Sequence, residues 1–308
     1  MKLTVIIPSR GRTHQLIGVL HSLHSLESGK NEVTYGIVCD VDDPETIGTA
    51  RILQAKMPLA YNVAERGPSL GGMVNEMSEK MPADVYLSLA DDVLCMTRGW
   101  DEKIAEAVRE NQNGVWWWKP ADENKPVLYA IVSEAWRKAA GRIFTDYFPY
   151  WYDDIWLLTL WILAIEGPML TLDITIMDCP RETHRMRDLR FWHGFYLAMQ
   201  PLRVKQAKDI ALKLGFPQSR IVGASIGLPN LSITEALSER LSVTPQEFEE
   251  NMEKIEANQG DKNPPTPEYL KAKARAEQIL GQMKFLKGAG IALKGLESLE
   301  KHILAEAA

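Results

Sequence analysis

Apolar positions change period along the first part of the chain. Leu3 to Pro8 (LTVIIP) is a short β-branched run closed by proline and followed by the polar turn Ser9-Arg10-Gly11-Arg12, the pattern of a buried strand reaching a loop. From Thr13 onward Leu16, Val19, Leu20, Leu23 and Leu26 recur at helical spacing, which predicts a helix with Thr13 as its N-cap. Val33 to Cys39 and Val85 to Leu89 read as two more strands, the first leading into Asp40-Val41-Asp42-Asp43-Pro44 and the second into Ala90-Asp91-Asp92. Between them the pattern predicts a helix around Thr46 to Lys56, a short strand near Leu59 to Val63, and a glycine-rich stretch from Gly67 to Gly72. Strands alternating with helices give βαβ units in a mostly parallel sheet, where ligands gather beyond the strand C-termini. Each polar cluster falls at such an end.

The middle of the chain differs. All nine tryptophans lie between Trp100 and Trp192, including the run Trp116-Trp117-Trp118. Core filling accounts for most of them, with one or two left to form a platform against a sugar or a base. After about Gln200 charged helical segments with few aromatics follow, interrupted by the breaker-rich stretch from Asn258 to Pro267, and Tyr269 to Leu304 reads as one or two amphipathic helices. The expected division is residues 1–200 as a catalytic domain and residues 201–308 as a helical annex for acceptor binding or dimerisation.

Composition narrows the picture only modestly. At 308 residues, 45% hydrophobic and 25% charged, the chain can bury one large core and a smaller annex. A net charge of −6 encodes no general attraction to nucleic acid or anionic membrane. Three cysteines, Cys39, Cys95 and Cys179, lie far apart with no Cys-x-x-Cys spacing, which argues against a disulfide framework or structural zinc and fits a reducing cytoplasm. Ile155 to Ile165 is the most apolar later stretch and is about half of the roughly 20 residues that a membrane span needs. No secretory signal pattern opens the sequence, and a soluble cytoplasmic protein is expected.

Chemistry enters through the acids. Asp40, Asp42 and Asp43 follow one predicted strand, and Asp91 and Asp92 another. Adjacent carboxylates repel unless solvent, a cation or a hydrogen-bond donor offsets them, so Asp91-Asp92 suits a hard divalent ion holding a diphosphate; the plainer reading makes such pairs turn residues and helix caps. No Gly-Lys-Ser/Thr follows Gly71-Gly72 and no Gly-x-Gly-x-x-Gly occurs, leaving ATP hydrolysis and dinucleotide redox chemistry without support.

In order and spacing these segments resemble a family 2 glycosyltransferase of the GT-A fold over roughly residues 3 to 195. Val5 to Arg12 is similar to that family's opening strand and loop, Cys39 to Pro44 to its acidic nucleoside-binding turn, and Gly67 to Asn75 to its glycine-and-asparagine segment. Leu87 to Val93, followed by Gly99-Trp100, resembles the DxD strand, shortened here because Leu89 and Ala90 stand where an aspartate is common. Tyr150 to Leu157 resembles the element in which a carboxylate opens a helix beneath the acceptor.

The resemblance implies a mixed sheet flanked by helices that binds a nucleotide-sugar, with uracil the expected base. Its donor-binding set maps onto Pro8, Ser9, Arg10, Arg12, Asp40, Asp42, Arg66, Asn75, Asp91, Arg185 and Arg187. Asp40 would meet the base and Asp91 the ribose or donor sugar. Asp92 and the late His184 would hold Mn2+ or Mg2+, while arginines of the stretch Arg181 to Arg190 would clamp the leaving diphosphate. Asp154, with Asp153 beside it, is the expected general base of an inverting displacement, since a helix N-terminus favours the anionic form. The acceptor stays open. A hydroxymethylated base in DNA is one option, suggested by the arginine-rich stretch and by a helix-turn-helix-like pattern from Ala236 to Phe248 that two ordinary amphipathic helices also explain. A nucleotidyltransferase would share the sheet and the metal carboxylates, and a non-catalytic sugar-nucleotide-binding protein would tolerate the shortened acidic motif.

Overall fold

The computed structural model describes residues 1–65, 67, 69–122, 129–149, 152–165, 167–179, 187–216 and 264–288, the last six of these as backbone only. Strands β1 (Lys2–Ser9), β2 (Glu32–Asp40), β3 (Leu59–Ala64) and β4 (Val85–Ser88) form a parallel half-sheet in the order β3-β2-β1-β4. The other half is mixed. β7 (Ala130–Ser133) runs antiparallel to both β4 and β6 (Val115–Pro120), β8 (Leu170–Asp178) lies parallel to β6, and the short β5 (Val93–Cys95) closes the edge antiparallel to β8.

Two hydrophobic cores cover the two faces, and strand alternation assigns residues between them. Leu3, Val5 and Ile7 of β1 enter one core with Leu16, Val19, Leu20 and Leu23 of α1 (Thr13–Ser25) and Trp100 and Ile104 of α4 (Trp100–Glu110), while Ile6 enters the other. The same alternation splits the tryptophan run: Trp116 and Trp118 face the first core and Trp117 the second. All eight described tryptophans are buried, so none of them offers the expected sugar or base platform; Trp151 lies outside the described residues.

The second core is filled by helices. They are α3 (Leu70–Lys80), α5 (Glu134–Ala140), α6 (Asp153–Ile165), α7 (Leu189–Ala198), α8 (Gln200–Leu214) and α9 (Pro267–Gly288). α6, the most apolar of them, turns Trp156, Leu157, Leu158, Leu160 and Trp161 inward and packs against α8. Leu202 and Ile210 of α8 and Tyr269 and Ile279 of α9 belong to this same core, so the described part of the expected annex packs directly on the sheet domain. Among the described residues no helix is long and apolar enough to cross a membrane.

Two expected helix starts shift. α1 does begin at Thr13, but the cap position is Arg12, whose carbonyl accepts from Leu16 N, and the Thr13 hydroxyl instead donates to Glu45 at 3.1 Å. The second helix, α2 (Pro44–Gln54), begins ahead of Thr46 because Asp43 caps it and Pro44 pre-sets its first turn.

Candidate active site

The loops after β1, β2 and β4 converge at the C-terminal edge of the parallel half-sheet. Ser9, the last residue of β1, pairs in register with Cys39, and Ile6 with Ser88, which brings the segments beyond those strands side by side. Ser9 Oγ donates to Asp91 Oδ2 at 2.8 Å. Arg12 Nη1 donates to Asp91 Oδ1 and to Asp92 Oδ2, both at 2.9 Å, so one guanidinium nitrogen bridges the acidic pair. Arg10 serves the neighbouring turn, donating from Nη1 to Asp40 Oδ2 at 2.7 Å and to Asp42 Oδ1, and from Nη2 to Asp42 Oδ2 at 2.8 Å.

Burial sets the electrostatics. Asp40, Asp91 and Asp92 are buried, and buried carboxylates persist only when paired or hydrogen-bonded. Burial pushes the Asp91 carboxyl above its ordinary pKa although Arg12 and Ser9 act against that rise. Hydrogen bonds to Asp42, with Asp40 adding its charge, hold Arg10 firmly protonated. Among the described residues nothing donates to the buried Asp40 Oδ1, an acceptor left over once Arg10 has satisfied Oδ2. Asp43 has the plain role: its carboxylate accepts from Thr46 N at 3.2 Å, from Thr46 Oγ1 at 2.5 Å and from Gly11 N at 2.7 Å. Burial opposes its ionisation, and those bonds overcome it, leaving the pKa below the usual value.

A second acidic pair opens α6. Tyr152 takes a left-handed backbone (φ 78°) just before Asp153 and Asp154. Asp153 Oδ2 accepts from Gly71 N at 3.2 Å, which seats this carboxyl at the N-termini of both α3 and α6. The approach is close enough that a Cβ on Gly71 would fall 2.1 Å from Thr145 O. Burial and the neighbouring Asp154 raise the Asp153 pKa well above its ordinary value, while burial pushes that of the half-buried Asp154 up to about 6. Asp154 Oδ1 accepts from Ile155 N at 2.7 Å. Beside them Tyr152 Oη lies 3.2 Å from His193 Nδ1, and the Tyr152 ring stacks on Tyr196 at 5.1 Å.

No family model and no curated protein matches the sequence. Solved structures do match the fold. The S. aureus TarS fragment 1–349 is 15% identical, with 90% of this chain and 92% of that one covered at a TM-score of 0.52. The same fragment in complex with UDP-GlcNAc gives 14% identity, the same coverages and 0.53. The mannosyltransferase PcManGT from Pyrobaculum calidifontis, in complex with GDP-Man and Mn2+, gives 12% identity, 90% and 86% coverage and 0.52. The fold is GT-A.

On this GT-A sheet Ser9, Arg12, Asp91 and Asp92 form one hydrogen-bonded group and Arg10, Asp40 and Asp42 another, at adjacent strand ends, with Pro8 in β1 one residue before Ser9. Asn75 is placed otherwise than expected of a donor contact. Its Nδ2 donates to Phe144 O at 2.8 Å and its Oδ1 accepts from Ile143 N and Phe144 N at 2.9 and 3.0 Å, making it a strut between α3 and the chain leading to α6. Arg187 meets a different element from the Asp91 cluster: its guanidinium lies over the Tyr269 ring of α9 at 5.8 Å. Arg66, His184, Arg185, Tyr150 and the segment Ala236 to Phe248 lie outside the described residues.

The shortened DxD motif implies a divalent cation, and the donor set at this strand end does not fit one. Both Asp91 oxygens already accept from protein donors, Asp92 shares Arg12 with it, Leu89 is a buried apolar side chain, and Ala90 offers no ligand. Among the described residues no three His, Cys, Asp or Glu side chains group so as to hold a metal ion. The sequence gives Gly71, Tyr152 and His193 no individual role, since their placement depends on backbone approaches and rotations that one-dimensional spacing does not encode.

Proposed function

We propose that this chain transfers a sugar from a nucleotide-sugar to an acceptor hydroxyl, with the donor held at the Ser9–Arg12, Asp40–Asp42 and Asp91–Asp92 cluster. The observation that carries the reading is the buried Asp40 Oδ1 at the end of β2, to which no described residue donates, set within an arginine–carboxylate cluster on a GT-A sheet. An orphan acceptor at that depth costs about 1–3 kcal/mol unless a ligand donor meets it, and a pyrimidine imide N–H is such a donor. TarS has been solved with UDP-GlcNAc and PcManGT with GDP-Man, which supports a nucleotide-sugar donor; uracil N3–H and guanine N1–H are both donors for this acceptor, and uridine is the base we propose.

Asp154 is the proposed base. In an inverting displacement the acceptor oxygen bonds to the anomeric carbon as its proton passes to the Asp154 carboxylate, and the bond from that carbon to the diphosphate breaks, its electron pair leaving with the nucleoside diphosphate. A carboxyl with a pKa of about 6 is anionic at neutral pH yet a better base than an ordinary aspartate. Arg10 and Arg12 supply positive charge beside the diphosphate. His184, Arg185 and Arg66 are proposed to add to the donor contacts.

Calorimetry with UDP-sugars and GDP-mannose, followed by product analysis with a panel of hydroxyl acceptors, tests the reading. Binding of a nucleotide-sugar in the micromolar to millimolar range and a product of inverted anomeric configuration are expected. If no nucleotide-sugar binds, the proposal is lost; a retained configuration removes only the role given to Asp154.

A further inference from the structure

We infer that Arg12 takes the place of a divalent cation at the Asp91–Asp92 pair, so that nucleotide binding at this site is independent of divalent metal. The inference rests on the donor-site reading above for its second half, while its first half concerns the protein alone.

Geometry carries the argument. A cation that joins two adjacent carboxylates sits between one oxygen of each, and Arg12 Nη1 sits there, 2.9 Å from Asp91 Oδ1 and 2.9 Å from Asp92 Oδ2. The other Asp91 oxygen accepts from Ser9 Oγ at 2.8 Å, so a bridging metal would meet a protein donor on whichever Asp91 oxygen it took. These are charge-assisted bonds to buried acceptors, the strong kind. Arg12 is also held in place, because it is the cap position of α1 and its backbone carbonyl takes the first helical hydrogen bond from Leu16. A guanidinium has five N–H groups in a planar fork, and bridging the two acids uses Nη1 alone. The remainder of the fork is suited to phosphate oxygens, whereas an arginine cannot lose its charge at any working pH. Leu89 and Ala90 agree with this arrangement, since a pair that never holds a metal does not need the missing aspartate.

Two measurements on the full-length, metal-stripped protein decide the matter. The first follows free Mn2+ by electron paramagnetic resonance, counting only the binding that Asp92→Asn abolishes. The wild-type protein is expected to show none below about 1 mM, and Arg12→Ala, by vacating the bridge, to gain binding at least tenfold tighter. Arg12→Gln serves the same purpose should the alanine variant fold poorly. Wild-type binding as tight as that of the variants, or no gain in either variant, overturns the inference. The second measurement is calorimetry of UDP in EDTA and in Mn2+. Affinities within about twofold are expected, and a tightening of tenfold or more by Mn2+ overturns metal independence. Failure of UDP and GDP to bind under both conditions would count against the donor site itself, and the Mn2+ titration would still decide what Arg12 does.

Discussion

Asp153 and Asp154 are adjacent in sequence yet meet different environments, and the difference is measurable. Asp154 is half-buried with its pKa raised to about 6, so as the proposed base it is active when ionised. Activity should fall about tenfold per unit as pH drops below about 6, and Asp154→Asn should lower kcat by roughly 10²- to 10⁴-fold while leaving UDP affinity within about twofold. A pH–rate profile for kcat/KM checks both; an acid limb that persists unchanged in the variant would assign the titration elsewhere. Asp153 is buried, and its folded-state pKa is raised above the unfolded one. Its contribution to stability is therefore fully present below the unfolded pKa and is lost as pH rises toward the folded value. Asp153→Asn keeps an acceptor for Gly71 N and removes the titration, so urea unfolding at about pH 5 and about pH 8 should show a shallower loss of stability than in the wild type. Equal slopes would mean that Asp153 is not the group responsible. At this scale the sequence disclosed which residues carry charge at strand ends, and strand register brings the ends bearing Ser9, Arg12, Asp40 and Asp91 side by side. It did not disclose that Arg12 would bridge Asp91 and Asp92, since that depends on where a long side chain comes to rest after the loop has closed.

The N-terminal part of α3 fixes the chain that leads into the Asp153–Asp154 pair. Ser69 caps it by accepting from Gly72 N at 2.9 Å, Gly71 N donates to Asp153, and Asn75 one turn on grips the backbone at Ile143 and Phe144. Gly71→Ala would place a methyl 2.1 Å from Thr145 O, a backbone atom that can move only with its whole segment. The expected result is a loss of about 1–3 kcal/mol in chemical denaturation, with kcat falling more than UDP affinity because the displaced segment leads to Asp154. An alanine variant with wild-type stability would show that α3 and the segment from Ile143 to Thr145 are less tightly packed than these distances imply. Elements with a clean period were legible: β1, β2, β4 and α1 follow directly from the β-branched runs and the leucine spacing. The tryptophan-rich segment was not, because a run such as Trp116-Trp117-Trp118 is apolar at every position. Only pairing with β7 and β8 shows that its alternate residues serve opposite cores. Thr13 misled for a related reason, since a hydroxyl at a helix start caps by default and here it finds Glu45 on another helix.

For the molecule as a whole, composition suggested a boundary near Gln200, where aromatics give way to charged helices, and that signal reports the exposed faces of α8 and α9 rather than their buried ones. Leu202, Ala207, Ile210 and Ala211 of α8 lie in the same core as α6, and Tyr269, Ala272, Ala276 and Ile279 of α9 join them. Polar contacts tie the same layers together. Trp156 Nε1 donates to Gln206 Oε1 at 3.1 Å, Trp192 Nε1 to Tyr269 Oη at 3.2 Å, and Tyr269 Oη to Asp188 Oδ2 at 2.8 Å. The buried Arg203 lies against the Tyr196 ring at 3.7 Å and the Trp156 ring at 5.0 Å, so α8 also supplies the floor under the aromatic group beside Asp154. Fully burying one leucine or isoleucine stabilises by about 1.5–3 kcal/mol, and a folded domain has only about 5–15 kcal/mol to lose. Removing everything after Met199 would uncover the side of α6 that packs against α8 and break the Trp156–Gln206 hydrogen bond. We therefore expect the 1–199 fragment to aggregate or to lose its cooperative thermal transition, and to bind no nucleotide even though every residue of the Arg12 cluster is retained. A soluble 1–199 fragment that unfolds cooperatively and binds UDP as the full chain does would instead make α8 and α9 a separable annex, and would confine their role to the acceptor.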